Sequence, residues 1–378
     1  MLAFFLSISI FLTLAYATLI AYYYRGWRDC AEIFTEKERL PSTFVSIIIP
    51  ARNEAHNLPI LLKAILSQYY PSHLMEIIVV DDHSTDETAE IARSYPGVIC
   101  IELAQIPGFA VLNSYKKKAI ETGIRQSKGS MILTTDADCI PGPYWILSMV
   151  EYFEKKNAVM IAGPVAFTNR GSWFEHFQSL DFLTMQGITA AVLHFKSGTM
   201  CNGANLAYKK SAFEQVGGFQ GIDDIASGDD MLLMFKIEQA FPGQIAYLKN
   251  KDAIVLTSPM PDFRSFIEQR IRWASKAAKF KDKRIFAVLL MVYFYNFHFI
   301  LGTFLCLFYP VYGVYIFIAL LIKILVESLL VNTLTSFFNK RNERKFFSIL
   351  QLIHIPYIVV SGLLGQFGSY HWKGRKVK

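Results

Sequence analysis

Hydrophobic and polar positions divide the chain into three regimes. Residues Leu2 to Tyr24 carry no charge and are apolar almost throughout, a run long enough to cross a bilayer as one helix. From about Pro41 to Pro261, short β-branched runs alternate with charged, helix-like stretches. Val45–Ile49, Ile77–Val80, Met131–Thr134, Ala158–Ile161 and Ile254–Thr257 read as strands, and Leu58 to Leu66 reads as a helix. From Ile285 to Phe338 the chain is apolar again, enough for two spans with a turn near Tyr309-Pro310, and a last apolar stretch runs from Phe346 to Gly368.

The alternation in the middle regime predicts an α/β domain: a Rossmann-like, mostly parallel sheet with helices on both faces. Ligands of such domains bind beyond the carboxyl ends of the strands. No repeat, low-complexity tract or long linker interrupts it. The organisation expected is an anchor over 1–24, the α/β domain over 41–261, a basic amphipathic interfacial helix over 262–284, and membrane segments over 285–370. These last comprise two spans plus a third span or a re-entrant segment.

Charge sets the expected orientation. Arg25 and Arg28 follow the first apolar run, so the positive-inside bias puts the α/β domain in the cytosol and the N-terminus outside. A cleaved signal peptide is the competing reading, with Ala15-Tyr16-Ala17 resembling a cleavage site. No basic residue precedes the run, however, and it continues to the Tyr22–Tyr24 cluster, which favours an anchor. Lys340, Arg341, Arg344 and Lys345 precede the last apolar stretch, and Lys373, Arg375, Lys376 and Lys378 follow it. A re-entrant segment broken at Pro356, Gly362 and Gly365 would keep both clusters inside. Lys323 and Glu327 lie one helical turn apart inside an apolar segment and are expected to pair.

Composition agrees with a bilayer: 53% of the 378 residues are hydrophobic, with 31 Phe and 19 Tyr. The five cysteines are scattered and lack C-x-x-C spacing, which argues against disulfides or a zinc site and fits a reducing cytosol. The net charge of +7 crowds the flanks of the apolar segments rather than forming a patch on the domain, which sets nucleic-acid binding aside.

Candidate chemistry sits at the predicted strand ends. The first strand ends in Pro50-Ala51-Arg52-Asn53-Glu54 and the second in Asp81-Asp82-His83-Ser84-Thr85-Asp86. Adjacent carboxylates repel unless a cation or a donor uses them. One can accept from a nucleobase N–H while Ser84 or Asp86 caps the next helix; an elaborate helix cap alone is the plainer reading. The third strand ends in Thr135-Asp136-Ala137-Asp138. One of these aspartates can reach a ribose or phosphate and the other a divalent cation, because magnesium takes few protein carboxylates and completes its shell with phosphates and water. Lys116-Lys117-Lys118 opens a helix; a lysine there can neutralise a phosphate or simply face solvent.

Further on, Thr199 to Asn205 form a small polar loop, and Ser227-Gly228-Asp229-Asp230 open an apolar-periodic helix from Met231 to Ile237. Carboxylates there suit a helix N-terminus or a catalytic base aimed into a cleft. From Asp262 to Arg284, Arg264, Arg270, Arg272, Lys276, Lys279 and Lys281 interleave with Phe263, Phe266, Ile267, Ile271, Trp273 and Phe280, a pattern that lies in the headgroup plane. Within it, Gln269-Arg270-Ile271-Arg272-Trp273 places an aromatic and a guanidinium near the cleft mouth.

In this order the motifs resemble the family 2 glycosyltransferases, in particular the membrane-bound branch that includes cellulose synthase, hyaluronan synthase and ceramide glucosyltransferase. The matching residues are Pro50–Glu54, Asp81-Asp82, Asp136-Ala137-Asp138, Gly228-Asp229-Asp230 and Gln269-x-x-Arg272-Trp273, across roughly residues 43 to 280; Trp372-Lys373-Gly374-Arg375 is also familiar from this branch. The resemblance implies a glycosyltransferase A-type fold and inverting transfer from a nucleotide sugar, expected to be a UDP-sugar, to a membrane lipid, lipid-linked or glycan acceptor. It implies that Asp81 or Asp82 binds the base, with Pro50, Arg52, Glu54 and Lys116 near the nucleotide. Asp136 would hold the donor and Asp138, with Asp136, a divalent Mg or Mn ion. Gln269, Arg272 and Trp273 would cover the diphosphate and shape the acceptor site.

One departure concerns the base. Family members commonly carry Glu before the base Asp, whereas Asp229 stands there; both aspartates are candidates, and Asp230, the second of the pair, is favoured. A processive polysaccharide synthase is the alternative, but so few apolar segments leave little material for a polymer channel. A scaffold with a degenerate domain is disfavoured because every needed carboxylate is present, and a transporter because the spans are too few. The expected location is an integral membrane protein of the cell inner membrane or its equivalent, catalytic domain in the cytosol.

Overall fold

A computed structural model of the chain describes residues 2–106, 114–168, 171–198, 200–223, 225, 228–274, 283–367, 370–372 and 375–377. The chain begins with helix α1 (Leu2–Asp29) and enters the sheet at β1 (Val45–Ala51). Then come α2 (Leu58–Leu66), β2 (Met75–Asp81), α3 (Thr88–Ser94), β3 (Val98–Glu102), α4 (Tyr115–Gln126), β4 (Met131–Thr134), β5 (Ile140–Pro141) and α5 (Trp145–Lys156). The second half of the domain holds β6 (Met160–Ala162), β7 (Val165–Phe167), α6 (Trp173–His194), β8 (Leu206–Lys209), α7 (Lys210–Gln215), α8 (Met231–Ala240), β9 (Ile245–Tyr247) and β10 (Val255–Thr257). Helices α9 (Phe263–Ala274), α10 (Lys283–Cys306), α11 (Val311–Phe337) and α12 (Arg344–Phe367) follow, with a terminal hairpin of β11 (Tyr370–Trp372) and β12 (Arg375–Val377).

The main sheet has seven strands in the order β3-β2-β1-β4-β8-β6-β9. Strands β1, β2 and β4 are continuous aliphatic runs buried on both faces, as parallel strands covered by helices must be. Their register aligns Ile48 with Ile78 on one side and with Thr134 on the other. The sheet is mostly parallel, as expected, but β8 runs antiparallel to both β4 and β6. The predicted strand at Ile254–Thr257 forms, yet outside the main sheet: β10 sits in a three-stranded sheet of order β5-β10-β7. Its sequence carries no sign of which sheet it joins.

Among the described residues, four helices are long and apolar enough to cross a membrane: Phe4–Asp29, Lys283–Cys306, Val311–Phe337 and Arg341–Gly365. They pack on one another and on α6, and a single core runs from Tyr16 and Tyr295 to Ile48 and Ile132 of the sheet. The foot of α1 is fastened to the domain. Trp27 is 2% exposed, and Lys249 lies over its ring at 4.1 Å while donating to the carbonyls of Trp27 (2.8 Å) and Cys30 (3.0 Å). A cation is favourable at a helix C-terminus, where carbonyls lack intrahelical partners.

One expectation needs correction. The last apolar stretch is not broken at Pro356: α12 continues through it as one helix. The proline removes one backbone donor, a loss that a helix packed against α6, α9, α10 and α11 tolerates. In the amphipathic stretch, Phe266 and Arg270 of α9 are buried against the rest of the protein, while Phe263 and Arg264 are exposed. Lys276, Lys279, Phe280 and Lys281 lie outside the described residues, as do Lys373 and Gly374. The Lys323–Glu327 pair does form, wholly buried, and it has company: Lys323 donates to Gln351 (2.6 Å), Gln351 donates to the other Glu327 oxygen (2.7 Å), and the Tyr16 hydroxyl also donates to Glu327. The five cysteines are all free.

Candidate active site

The carboxyl ends of β1, β2 and β4 open into one cavity of about 1300 Å³. The turns after β1 and β2 are tied together. Arg52 donates to the carbonyls of Asp82 (2.7 Å) and His83 (3.1 Å), and the Thr85 amide donates to Asn53 Oδ1 (2.8 Å). Asn53 and His83 both take positive φ, at 52° and 55°, a conformation uncommon outside glycine and concentrated at functional sites. Asp82 reaches the cavity wall, whereas Asp81 is not part of it. Asp81 Oδ2 accepts from the Ser84 amide (3.1 Å), and its buried Oδ1 has no hydrogen-bond partner among the described residues. Glu54 lines the cavity while its carboxylate accepts from Asn57 and its amide donates to Thr88, so it also shapes the start of α2.

The three lysines at the start of α4 have separate fates. Lys116 points into the cavity, with Nζ 2.6 Å from Asp136 and 3.2 Å from Asp229. Lys117 is buried and donates to the carbonyls of Ile222 and Ile225. Lys118 pairs with Glu121 on the helix surface. Burial alone would push the Lys116 ammonium down, but Asp136, Asp229 and Asp230 outweigh it and hold it well above its usual range. The expected Asp-x-Asp at the end of β4 and the Asp pair before α8 are therefore joined across the cleft by one cation.

Asp230 is the N-cap of α8. Its Oδ1 accepts from the Met231 amide (2.7 Å) and its Oδ2 from the Gly203 amide (3.1 Å), which draws the Met200–Ala204 loop to the cavity. Thr199 and Ser227 lie outside the described residues. Asp138, Gln269, Arg272 and Trp273 line the same cavity, with Pro50 and Arg52. Every proposed site residue except Asp81 thus faces one space.

Three features escaped the sequence. The first is α6, a helix 22 residues long lying under the cavity; a capping box of Ser172 and Glu175 marks its start and was legible as S-x-x-E before an apolar run. The second is Arg270, stacked between Phe266 (4.7 Å) and Trp273 (4.1 Å) and paired with Asp181 of α6 (2.7 Å). Burial would raise the Asp181 carboxyl, but Arg270 and His354 outweigh it and hold it below the usual range. The third is the reach of the cavity: beyond the carboxylates it continues between α1, α6, α10 and α12 and ends among apolar side chains.

Among the described residues no three His, Cys, Asp or Glu side chains group closely enough to hold a metal by themselves. Asp136 and Asp138 fit an ion that takes most of its ligands from a diphosphate and water, as magnesium does. That donor set suits Mg or Mn and does not suit a closed structural site.

The fold is that of the glycosyltransferase A-type enzymes. A mannosyltransferase from Pyrobaculum calidifontis, PcManGT, solved in complex with GDP-Man and Mn2+, superposes with a TM-score of 0.58 at 20% identity, over 96% of this chain and 98% of that one. Residues 46–217, within the α/β domain, match the profile of glycosyl transferase family 2. Glycosyltransferase AglE of Haloferax volcanii is 32% identical over 195 residues, 50% of this chain and 59% of that protein. An undecaprenyl-phosphate 4-deoxy-4-formamido-L-arabinose transferase of Pseudomonas savastanoi pv. phaseolicola is 36% identical over 119 residues, 30% of this chain and 34% of its own length. This chain therefore spans less than two thirds of either relative.

Proposed function

We propose that this chain is an inverting, metal-assisted transferase that moves a sugar from a nucleotide sugar, a UDP-sugar, to a lipid or lipid-linked acceptor, with its catalytic domain on the cytosolic side of the membrane. The observation that carries this reading is the single cavity joining the strand-end carboxylates to helices of membrane-crossing length. A water-soluble acceptor needs no apolar extension of the active site, whereas a lipid does. The similarity to a transferase named for undecaprenyl phosphate points the same way.

In this mechanism the donor lies along the ends of β1, β2 and β4, with its base towards Asp82, the member of the pair that lines the cavity, and its diphosphate near Lys116. Asp136 and Asp138 would hold a divalent ion, which supplies positive charge where the leaving diphosphate gains negative charge. Lys116 contributes a second positive charge, already fixed between two carboxylates. Gln269, Arg272 and Trp273 close over the diphosphate. Asp230 takes the proton of the acceptor hydroxyl as its oxygen attacks the anomeric carbon. Asp229 is committed to Lys116, while the two backbone amides on Asp230 fix that carboxylate's direction.

The test is transfer by purified protein in detergent, with a panel of UDP- and GDP-sugars, magnesium or manganese, and extracted membrane lipids. Turnover of one donor into a lipid-soluble product, lost on chelation and in Asp138→Ala, is expected. Product confined to water, or a long polymer from the protein alone, would replace this reading.

A further inference from the structure

The last apolar helix has the length and composition to cross a membrane, as α1, α10 and α11 have, but its contacts give it a different course. We infer that α12 does not cross the bilayer: it lies in the membrane boundary on the side of the α/β domain. The chain then crosses three times, and its C-terminal hairpin returns to the domain's side. This is independent of the sugar-transfer reading, since it follows from which elements touch.

Both ends of α12 are held against elements of the domain side. At its start, Lys340 donates to the Phe167 carbonyl at the end of β7 (2.7 Å), and Arg344 donates to the Thr335 hydroxyl in the last turn of α11 (2.7 Å). The Phe346 ring stacks on His176 of α6 with centroids 4.3 Å apart. A helix of this length running through a hydrocarbon layer about 30 Å thick would leave the domain behind. Instead its second half runs beside α9, which follows β10 and lines the cavity with Gln269, Arg272 and Trp273. Tyr357 meets Phe266 with ring centroids 5.2 Å apart, and a Cβ on Gly365 would come within 2.4 Å of Ala274. The same number of positions separates the two contacts on each helix, so α9 and α12 travel together for about 12 Å. The hairpin then packs through β11 onto α9.

Contacts with the three crossing helices give the same course. Gln351 bonds to Lys323 and Glu327 of α11, Glu327 to Tyr16 of α1, and Tyr16 stacks on Tyr295 of α10, which fixes one level of the bundle. Gly362 abuts α10 at Tyr293, within one turn of that level. From Gln351 to Gly362 the helix covers about 16 Å, yet it advances only about 3 Å along α10. Charge and surface agree. A crossing would put the basic clusters at 340–345 and 373–378 on opposite sides, whereas a return keeps them together, as the positive-inside bias favours. The exposed face of α12 is an apolar stripe of Ile349, Leu352, Pro356, Val360 and Leu363, spaced as one side of a helix. A helix seated on a domain with its apolar face open suits the headgroup–acyl boundary, sunk by about 5–10 Å. Its partner is the hydrocarbon of the leaflet next to the domain.

Two experiments test this. In the first, a short epitope tag is placed after Lys378, at the exposed Gly97 turn of the domain, or in the 307–310 turn between α10 and α11. Sealed membrane vesicles of uniform orientation are treated with protease before and after permeabilisation. The tag after Lys378 should share the fate of the Gly97 tag and differ from the 307–310 tag. Shared fate with the 307–310 tag, or one fate for all three, would overturn the inference. The second experiment reads depth. Cys100 and Cys306, the partly exposed cysteines, are changed to serine and the three buried ones are kept. Single nitroxides are then attached through Leu352→Cys or Leu363→Cys on α12, and through Ile318→Cys or Leu329→Cys on α11, all at exposed positions. In vesicles of phosphatidylethanolamine and phosphatidylglycerol, depth is measured from relaxation by oxygen against a nickel chelate. The α11 pair should differ by roughly 15 Å and the α12 pair by less than about 5 Å, with both α12 labels reached by oxygen. A larger difference within the α12 pair, or α12 labels reached by the chelate alone, would overturn the in-plane course. Spin–spin broadening between singly labelled chains would give that face to a second copy and overturn the lipid assignment.

Discussion

The two ends of the cavity are built on opposite principles. The donor end is a set of short turns after β1, β2 and β4, tied by Arg52, Asn53 and the Lys116 bridge, and nearly every side chain there is polar and partnered. The helical end, proposed for the acceptor, is made of long helices whose apolar faces meet incompletely, with polar groups withdrawn into two buried knots, Lys323–Glu327–Gln351–Tyr16 and Arg270–Asp181. Chemistry needs charges fixed against thermal motion, and short hydrogen-bonded turns provide that. A lipid chain needs only an apolar slot of the right width, and helix packing provides that while the buried knots hold the helices in place. One cavity therefore joins a rigid electrostatic half to a half defined by shape.

Breaking the donor end should cost turnover rather than stability. Asp230→Asn is expected to lower kcat by about 10²–10⁴-fold, the usual worth of a positioned general base, in initial-rate assays of sugar transfer. Asp229→Asn should cost less. If the order of the two is reversed, Asp229 is the base and Asp230 the cap that positions it.

Breaking the helical end should do the reverse. Lys323→Met leaves Glu327 buried without its cation, which by the cost of splitting a buried pair is worth about 3–5 kcal/mol. The thermal midpoint in detergent should drop, and Lys323→Met combined with Glu327→Leu should recover most of it. An unchanged midpoint in the single variant would show that Tyr16 and Gln351 suffice. The junction between the halves should be weaker: Lys249→Met strips the carbonyls of Trp27 and Cys30 of their donor, a loss of about 1–3 kcal/mol, read by the same melting experiment.

The smallest effect concerns pH. Because the Lys116 ammonium is held above its usual range, its contribution is fully present below its unfolded value near pH 10.4, roughly the free-lysine figure, and fades only as pH rises through the raised value. Activity lost on moving from pH 7 to 9 should therefore persist as the same limb in Lys116→Arg. A limb that moves with this substitution would mean that Lys116 titrates in the working range.

The donor end was legible because its residues are local in sequence: a strand, then a turn whose polar residues can serve only the strand's carboxyl end. Asp136-Ala137-Asp138 and Asp81-Asp82 were readable as candidates for that reason; Asp229-Asp230 were readable from the apolar-periodic helix they open, and the membrane-crossing runs and the Lys323–Glu327 pair from equally local patterns. What could not be read depends on partners far away in the chain. The sequence does not say that Lys116, rather than Lys117 or Lys118, is the lysine that meets Asp136 and Asp229, because all three begin the same helix and only the tertiary packing selects the face. Arg270 read as one of the cations of a basic interfacial helix, and its buried partner is Asp181, 89 positions earlier in the chain. Pro356 looked like a break, and neighbouring helices carry α12 through it.

By itself, then, the sequence determined which elements form and which polar residues stand at strand ends, because periodicity and turn chemistry act over a few residues. Tertiary structure alone decided that β10 leaves the main sheet and that Asp82 rather than Asp81 faces the cavity. Those outcomes are set by the fit of surfaces contributed from distant parts of the chain, and no local pattern encodes that fit.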